Sequence, residues 1–294
     1  MGLGLMGSGI AQITAANAGL AVIALDSTEA SLRRGVDSIR KSLSIMAGKA
    51  IAKGTKDKVT AEADVEKAMG LITPTTDRFA LKGCDLVIEA APEDWEFKRK
   101  LYQDLRSFVR SDAVLASNTS GLLIADLARE FGDPTRCLGM HYFNPVPLMS
   151  LCEVITTPTL SPRHLDSCIA LIKAQGKTPV LCKDSPGFIV NRLLVPFLAQ
   201  AIALHDRGAA TTGDIDTAMK LGCGHPMGPL QLADYVGLDT TLFILQNWSK
   251  AYPGEANFAV PAGLKAKVGS GMLGRKSGKG YYHWEGDKAV KPVE

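Results

Sequence analysis

The sequence of 294 residues predicts an α/β protein with a doubly wound, mostly parallel sheet, followed by an all-helical C-terminal domain. Three observations lead to this fold class. A glycine-rich loop, a helix and a short strand open the chain. Apolar strand-like segments then alternate with helical segments as far as Lys183, and only helical patterns follow. We therefore expect two domains, at residues 1–183 and 184–294.

The opening loop has the spacing G-x-G-x-x-G, formed by Gly2, Gly4 and Gly7. Small apolar residues of a helix follow the loop, and then a short apolar strand ends at Asp26. In Rossmann-type folds these glycines let the backbone approach a pyrophosphate at a helix N-terminus, and the acidic residue binds the ribose. The first part of the chain is therefore predicted to be a Rossmann-type dinucleotide-binding domain.

The residues after Asp26 indicate which dinucleotide is bound. Ser27 and Thr28 follow it, and no arginine is present there to accept the extra phosphate of NADP. A carboxylate would also repel that phosphate, so the sequence favours NAD. The alternative is an ordinary glycine-rich turn, with Asp26 capping the next helix.

A glycine loop of this type normally follows a strand, but only Met1 precedes Gly2. We therefore expect the sheet to lack its first strand, which leaves unpaired backbone groups on both neighbouring strands. We also expect the chain to start late relative to this fold, so that any targeting segment would be lost with the missing part.

The composition excludes several classes of protein. Lys and Arg number 33, and Asp and Glu number 30. The resulting net charge of +3 is too small for a generic binder of nucleic acid or of a membrane surface. No apolar run approaches the roughly 20 residues of a membrane span. The six cysteines form no C-x-x-C pair or Cys/His cluster, so we expect no metal site and a reducing intracellular compartment. We expect that compartment to be the cytoplasm if the protein is bacterial and the mitochondrial matrix if it is eukaryotic.

Residues 33–58 concentrate positive charge, with eight Lys or Arg and two Asp, which is +6 locally. Apolar residues at helical spacing leave these charges on the other faces, which predicts a basic helical hairpin near residues 30–60. The hairpin is either a solvated surface or a binding site for a ligand with several phosphates.

Glu93, Ser120 and His141 follow predicted strands, His141 lying just past a strand end, and in this fold ligands bind beyond the carboxyl ends of strands. Glu153 lies in or beside the next apolar strand, where a carboxylate is costly unless it is paired. If the two elements are neighbours, His141 and Glu153 form a dyad suited to general acid/base catalysis. The alternative is a structural histidine and a strand-end carboxylate.

Ser120 and Asn191 are further candidates for contacts to a substrate oxygen. Ser120 can instead cap the following helix. Asn191 lies in a predicted helix at residues 188–207 that is apolar on more than one face, so its amide needs a partner. A helix of this kind is typical of a domain or subunit interface.

Several separate segments resemble the L-3-hydroxyacyl-CoA dehydrogenase family, which includes the 3-hydroxybutyryl-CoA dehydrogenases. The two most specific are His141-Tyr-Phe-Asn-Pro and Pro186-Gly-Phe-Ile-Val-Asn-Arg192. The resemblance covers essentially the whole chain and also includes the glycine loop and the segments that begin at Ser117, Glu153, Gly222, Asp234 and Gly274. The missing first strand is the one clear departure.

This resemblance implies oxidation of a (3S)-3-hydroxyacyl-CoA to the 3-oxoacyl-CoA, with NAD as hydride acceptor, in fatty-acid β-oxidation or short-chain acyl-CoA metabolism. His141 matches the catalytic base and Glu153 its partner. Ser120 and Asn191 match the residues that bind the substrate oxygen. The positions that match NAD contacts are Gly2, Gly4, Leu5, Met6, Gly7, Asp26, Glu93, Lys98, Ser120, Asn144 and Lys276.

The resemblance also assigns partners. Ser42 and Lys49 match contacts to CoA, so the phosphate-binding interpretation of the basic hairpin is favoured over a solvated surface. Family members form homodimers through the helical domain. The expected partners are therefore a small-molecule acyl-CoA and a second copy of the chain, with no nucleic acid and no membrane.

Two alternatives remain open. The 3-hydroxyisobutyrate and 6-phosphogluconate dehydrogenases open with a similar glycine loop, but they use a lysine base and do not need the spacing of His141 and Glu153. The second alternative is a catalytically silent structural or binding protein that has kept the fold. The intact catalytic positions argue against it, whereas the missing strand makes this chain a candidate for inactivity.

Overall fold

The computed structural model describes residues 1–293 and divides into two compact units. The first unit comprises Met1–Phe188, and the second begins at Ile189. Both units have a hydrophobic core of their own.

The first unit is built on seven strands, which confirms the predicted α/β class. Five of them form one sheet in the order β3-β4-β5-β6-β7, whereas β1 and β2 pair with each other in parallel. Within the five-stranded sheet only the β5–β6 pair is antiparallel. The strands are β1 (Val22–Leu25), β2 (Ile72–Thr75), β3 (Leu86–Glu89), β4 (Val114–Ser117), β5 (Cys137–Tyr142), β6 (Leu151–Thr156) and β7 (Thr178–Lys183).

The gap between β1 and β3 confirms that the sheet lacks a strand there, as far as residues 1–293 are concerned. Met1 and Gly2 lie at one end of the gap. The Met1 amine donates to the Ile88 carbonyl at 2.8 Å, and the Met1 carbonyl accepts from the Ala90 amide at 2.8 Å. The Gly2 amide donates to the Leu25 carbonyl on the other side at 2.8 Å. The rest of the gap is a cavity of about 540 Å³ with a mainly apolar lining.

Six helices cover the two faces of the sheets. Side chains that alternate along β4 show this layering: Val114 belongs to one core cluster with Ile13 of the first helix, and Leu115 belongs to another with Leu127 of the fifth. The helices are α1 (Leu5–Ala16), α2 (Glu29–Ala52), α3 (Lys58–Gly70), α4 (Trp95–Leu105), α5 (Ile124–Phe131) and α6 (Pro162–Ala174).

The second unit is helical, as predicted, with a core around Leu198, Leu230 and Leu245. Gly237, which has φ +106°, separates two consecutive helices over residues 229–236 and 238–251. The helices are α7 (Val190–Asp206), α8 (Thr212–Cys223), α9 (Pro229–Val236), α10 (Leu238–Ala251) and α11 (Ala262–Gly269).

A two-stranded hairpin, β8 (Tyr282–Glu285) and β9 (Lys288–Pro292), also belongs to this unit, so the domain is not entirely helical. The buried Asp234 carboxylate holds the hairpin by accepting hydrogen bonds from the amides of Tyr281 and Tyr282 at 2.8 Å and from the Trp284 indole at 2.9 Å. These contacts join segments far apart in the chain. The short alternating segment alone therefore gave little indication of a strand.

All six cysteines are free, and Cys137, Cys152 and Cys168 are buried. Burial raises the pKa of the Cys137 and Cys168 thiols to about 12. Among residues 1–293 no group of three or more His, Cys, Asp or Glu side chains is arranged to hold a metal ion. None of the helices in that range combines the length and apolarity that a membrane crossing requires.

Candidate active site

His141 and Glu153 face each other across the antiparallel β5–β6 pair, where they are direct partners in the register. His141 Nδ1 lies 2.7 Å from Glu153 Oε2. The residues are 3% and 0% exposed. Since a buried carboxylate needs a donor, the pairing places a proton on Nδ1, and in the neutral imidazole Nε2 is then the nitrogen that can accept one. The expectation that His141 lies just past a strand end is wrong: it is the fifth residue of β5, because the apolar strand continues through Tyr142.

Ser120 lies on the other side of the same imidazole. Its hydroxyl Oγ is 3.0 Å from His141 Nε2. The rings of Phe143 and Phe188 flank the imidazole, with centroids 4.6 and 5.4 Å from its own. The structure therefore places Glu153, His141 and Ser120 in one hydrogen-bonded row. The rings of Phe143 and Phe188 pack against the imidazole at its centre.

Glu93 holds the turn that carries Ser120. One carboxylate oxygen, Oε1, accepts the backbone amides of Ser120 and Gly121 at 3.0 Å each, and also the Thr119 hydroxyl. The Lys98 ammonium lies 3.2 Å from the other oxygen. Burial opposes ionisation of Glu93, but the Lys98 charge and the hydrogen bonds outweigh it and lower the pKa of the carboxyl.

Glu89 is a residue that the sequence analysis missed. It ends β3 and is fully buried, and its carboxylate accepts from Lys98 Nζ at 2.8 Å and from the Ser117 hydroxyl at 2.7 Å. The available signal was a glutamate at the end of an apolar strand, the same pattern that singled out Glu153.

The glycine loop fits the pyrophosphate and ribose of a dinucleotide. Gly4 caps α1 without a side-chain hydrogen bond, so the amides of the first turn, at Leu5 and Met6, face an open helix N-terminus. A Cβ on Gly7 would lie 1.7 Å from the Gly2 carbonyl oxygen, and Gly2 itself has φ +83°. Both positions therefore require glycine, and the loop stays close to the helix.

Asp26 lies beside this loop. Its carboxylate accepts the Leu3 amide at 2.7 Å and the Ser27 amide at 2.6 Å, which ties the end of β1 to the glycine loop. Both Asp26 and Arg34 line an adjoining cavity of about 310 Å³. Arg34 was not expected there, because it comes from the second turn of α2 rather than from the residues directly after Asp26.

Asn144 is exposed in the segment between β5 and β6, at a cis peptide bond to Pro145. The buried Lys177 ammonium donates to the carbonyls of Val146 and Met149 at 2.6 and 2.7 Å and so holds this segment against the start of β7. Burial lowers the pKa of Lys177. The predicted cofactor contact of Asn144 is thus on a segment held in place by an internal cation.

Two predicted site residues belong to the second unit. Asn191 is half-buried in the first turn of α7. Lys276 forms an ion pair with Asp239, which lies in the first turn of α10. Their predicted contacts to substrate and cofactor stay predictions.

The basic hairpin is formed by α2 and α3. Ser42 and Lys49 lie on α2 two turns apart, and therefore on one face. Three of the eight cations pair with acidic residues of α3: Arg40 with Glu66, Lys56 with Asp64, and Lys58 with Glu62. Lys49 is exposed and forms no ion pair with a residue in the range 1–293, so its charge is available to a ligand.

Oxidation of an alcohol by a dinucleotide requires a site for the dinucleotide and a base for the hydroxyl proton. The first unit provides both, one at the glycine loop and the other at His141. This fold and site define a dinucleotide-dependent dehydrogenase.

Comparison with known proteins identifies the family. Residues 1–185 match the family model "3-hydroxyacyl-CoA dehydrogenase, NAD binding domain", and residues 187–284 match its C-terminal domain. The mitochondrial hydroxyacyl-coenzyme A dehydrogenase of Rattus norvegicus is 46% identical over 286 residues, which are 97% of this chain and 90% of the relative. A probable 3-hydroxybutyryl-CoA dehydrogenase of Deinococcus radiodurans is 42% identical over 97% of this chain and 98% of its own length.

A solved structure agrees with these relatives. The (S)-3-hydroxybutyryl-CoA dehydrogenase of Ralstonia eutropha superposes with a TM-score of 0.89 at 38% identity, covering 97% of both chains. The chain belongs to the 3-hydroxyacyl-CoA dehydrogenase family. It is an oxidoreductase that uses NAD in the oxidation of 3-hydroxyacyl-CoA.

Substituting Gly7 by alanine should destabilise the cofactor-free protein by about 1–3 kcal/mol, because the new Cβ overlaps the Gly2 carbonyl. Gly4→Ala is the matched control, since no atom lies within 4 Å of the position that its Cβ would take. Urea unfolding without cofactor measures both. Equal unfolding free energies for the two variants would contradict the close packing of the loop.

Proposed function

We propose that His141 is the general base of the reaction. The observation that carries the proposal is the row Glu153–His141–Ser120, with separations of 2.7 and 3.0 Å around one imidazole. Neutral Nε2 takes the proton of the substrate hydroxyl, and NAD, when bound, accepts the hydride from the carbon that bears this hydroxyl. In the reverse direction the imidazolium returns the proton to the oxygen.

Glu153 keeps the imidazole ready for this step. Its buried carboxylate holds the proton on Nδ1 and stabilises the positive charge that develops on the ring when Nε2 is protonated. Ser120 Oγ, next to Nε2, hydrogen-bonds the substrate oxygen and aligns it with the base. Asn191 supplies a second hydrogen bond to that oxygen, an assignment that depends on the family resemblance.

The cofactor lies along the glycine loop. The amides at the N-terminus of α1, around Gly4 to Gly7, bind the pyrophosphate, and Asp26 accepts hydrogen bonds from the adenosine ribose. Glu93, Asn144 and Lys276 complete the contacts to NAD. Lys98, predicted as a further contact, is buried and supports the cofactor site through its ion pair with Glu93.

The CoA portion of the substrate binds at the basic hairpin. Ser42 and Lys49 face the 3′-phosphate and pyrophosphate from one side of α2, where Lys49 has no competing carboxylate among the described residues. The reaction serves fatty-acid β-oxidation or short-chain acyl-CoA metabolism in a reducing compartment, the bacterial cytoplasm or the mitochondrial matrix. Six free cysteines, most of them with pKa values raised by burial, are consistent with such a compartment.

The chain forms a homodimer through its helical unit. Large apolar side chains are exposed there: Leu193, Leu221 and Phe243 are 68%, 82% and 60% accessible. Exposed apolar surface of this kind is typical of a protein interface. Sedimentation equilibrium that gives the mass of a single chain at micromolar concentration would exclude the dimer.

Loss of NADH absorbance with acetoacetyl-CoA, compared with free acetoacetate, tests the substrate class. We expect rapid oxidation of NADH only with the CoA ester, because the hairpin binds its phosphates. Similar rates with both compounds would favour a dehydrogenase of free acids. No oxidation with either compound would favour a binding protein that has kept the fold.

Replacing His141 by glutamine should lower kcat by about 10²–10⁴-fold, because proton transfer is lost while the pocket keeps its shape. NADH binding, followed by fluorescence titration, should stay near the wild-type value. His164→Gln on α6 is the control, since the hydrogen bond that this ring makes among residues 1–293 is to the Thr135 backbone carbonyl. Parallel losses of kcat and of NADH affinity in the His141 variant would argue for a structural histidine.

Lys49→Ala should raise KM for acetoacetyl-CoA by about tenfold, since a charge-assisted contact to phosphate is removed. KM for an acetoacetyl-pantetheine analogue, which lacks the phosphates, should hardly change. Lys67→Ala removes the same charge from an exposed position on α3 and is the matched control. If both substrates respond equally to Lys49→Ala, CoA does not bind along this face of α2.

A further inference from the structure

Glu89 and Lys98 form an ion pair that solvent does not reach. The carboxylate is 0% and the lysine 1% exposed, and Lys98 Nζ lies 2.8 Å from Glu89 Oε1. The Ala91 amide donates to the same oxygen at 2.6 Å. The weaker Tyr102 phenol contact to Oε2, at 3.4 Å, completes the surroundings. Such a pair persists only where each charge has partners, so the position of each group depends on the other.

One route leads from this pair to the Ser120 turn through Glu93. Lys98 also contacts Glu93 Oε2 at 3.2 Å, so its ammonium bridges the two carboxylates. The other Glu93 oxygen accepts the amides of Ser120 and Gly121. Displacing the Lys98 ammonium therefore displaces the acceptor that holds this turn.

A second route leads to the same turn through Ser117. Its hydroxyl donates to Glu89 Oε2 at 2.7 Å and accepts the Thr119 amide at 3.1 Å. Glu89 thus reaches the backbone of residues 119–121 along two separate chains of hydrogen bonds. No other described carboxylate is connected to the turn in both ways.

We propose that Glu89 is a positioning residue for the dehydrogenase reaction. Its buried carboxylate fixes the turn of residues 119–121 so that the Ser120 hydroxyl stands 3.0 Å from His141 Nε2. Glu89 itself touches neither the imidazole nor the reacting atoms, and acts through Lys98 and Ser117. The proposal rests on the function proposed above for Ser120 and His141.

A double-mutant cycle of Glu89→Gln with Ser120→Ala tests the proposal. The measurement is kcat for the reduction of acetoacetyl-CoA at saturating NADH. In the otherwise wild-type chain Glu89→Gln should lower kcat by about 10–100-fold, because a displacement of about 1 Å at a positioned group has an effect of that size. In the Ser120→Ala background it should lower kcat by no more than about threefold, since the group it positions is already absent.

Glu96→Gln is the matched control on α4, because it removes a carboxylate whose ion pair with Arg99 is exposed. It should leave kcat and the thermal midpoint unchanged. Thermal unfolding of every variant separates loss of folding from loss of positioning. A purely structural role of Glu89 would reduce kcat by the same factor in both backgrounds.

Equal factors in the two backgrounds overturn the proposal and leave the role of Ser120 intact. A Ser120→Ala variant with wild-type kcat overturns the role of Ser120, and the proposal for Glu89 with it. If Glu89→Gln does not fold, Ser117→Ala replaces it in the cycle, because that change breaks one route and keeps the ion pair. A loss of about three- to tenfold that disappears in the Ser120→Ala background would then support the proposal, and equal losses would overturn it.

Discussion

A buried carboxylate must find donors inside the protein, and this constraint organises the catalytic half of the molecule. Glu153 and Glu89 are both fully buried within the sheet of the first unit. Glu153 takes its donor from His141, and Glu89 takes its donors from Lys98 and Ser117. In the function proposed above, the partner of one carboxylate is the base, and the partners of the other support the Ser120 turn. Stability and catalytic geometry therefore depend on the same contacts.

The reversal of strand direction between β5 and β6 provides the first of these contacts. In an antiparallel pair two residues stand directly opposite each other, and here the register brings His141 and Glu153 together. In an all-parallel sheet a connection this short is not possible, since parallel neighbours need a long crossover. The local reversal thus brings an acidic residue close in the sequence to the imidazole, while the parallel strands β3 and β4 place the Ser120 turn at their carboxyl ends.

Positive charge and hydrogen-bond donors are concentrated at particular positions of the protein, although its net charge is small. NAD and CoA are both polyanionic ligands, yet the net charge of the chain is only +3. The open N-terminus of α1 offers amides instead of side-chain cations. On α2, Arg40 pairs with Glu66 of α3, whereas Lys49 forms no ion pair with a described residue. Arg34 adds a cation to the cavity of Asp26. In the function proposed above, these local groups face the phosphates of the two ligands, so an overall excess of positive charge is not required.

The sequence by itself determined those features that depend on short segments. The glycine spacing with Asp26, the alternation of strands and helices, and the basic character of α2 were predicted from local patterns, because periodicity and motif spacing act within a few turns. The pairing of His141 with Glu153 depended on two strands being neighbours, and the family resemblance favoured it. The resemblance of whole segments to a known family indicated the family and the expected roles of the site residues.

The tertiary structure decided what depends on residues far apart in the chain. The network of Glu89 joins residues of β3, α4 and the end of β4, and Arg34 reaches the Asp26 cavity only because α2 packs beside the glycine loop. Asp234 likewise accepts hydrogen bonds from the C-terminal hairpin, which lies far from it in the sequence. A buried polar group can be recognised in the sequence as a polar residue within an apolar segment. Its hydrogen-bond partners depend on tertiary packing, because partners from distant segments have no fixed spacing along the sequence.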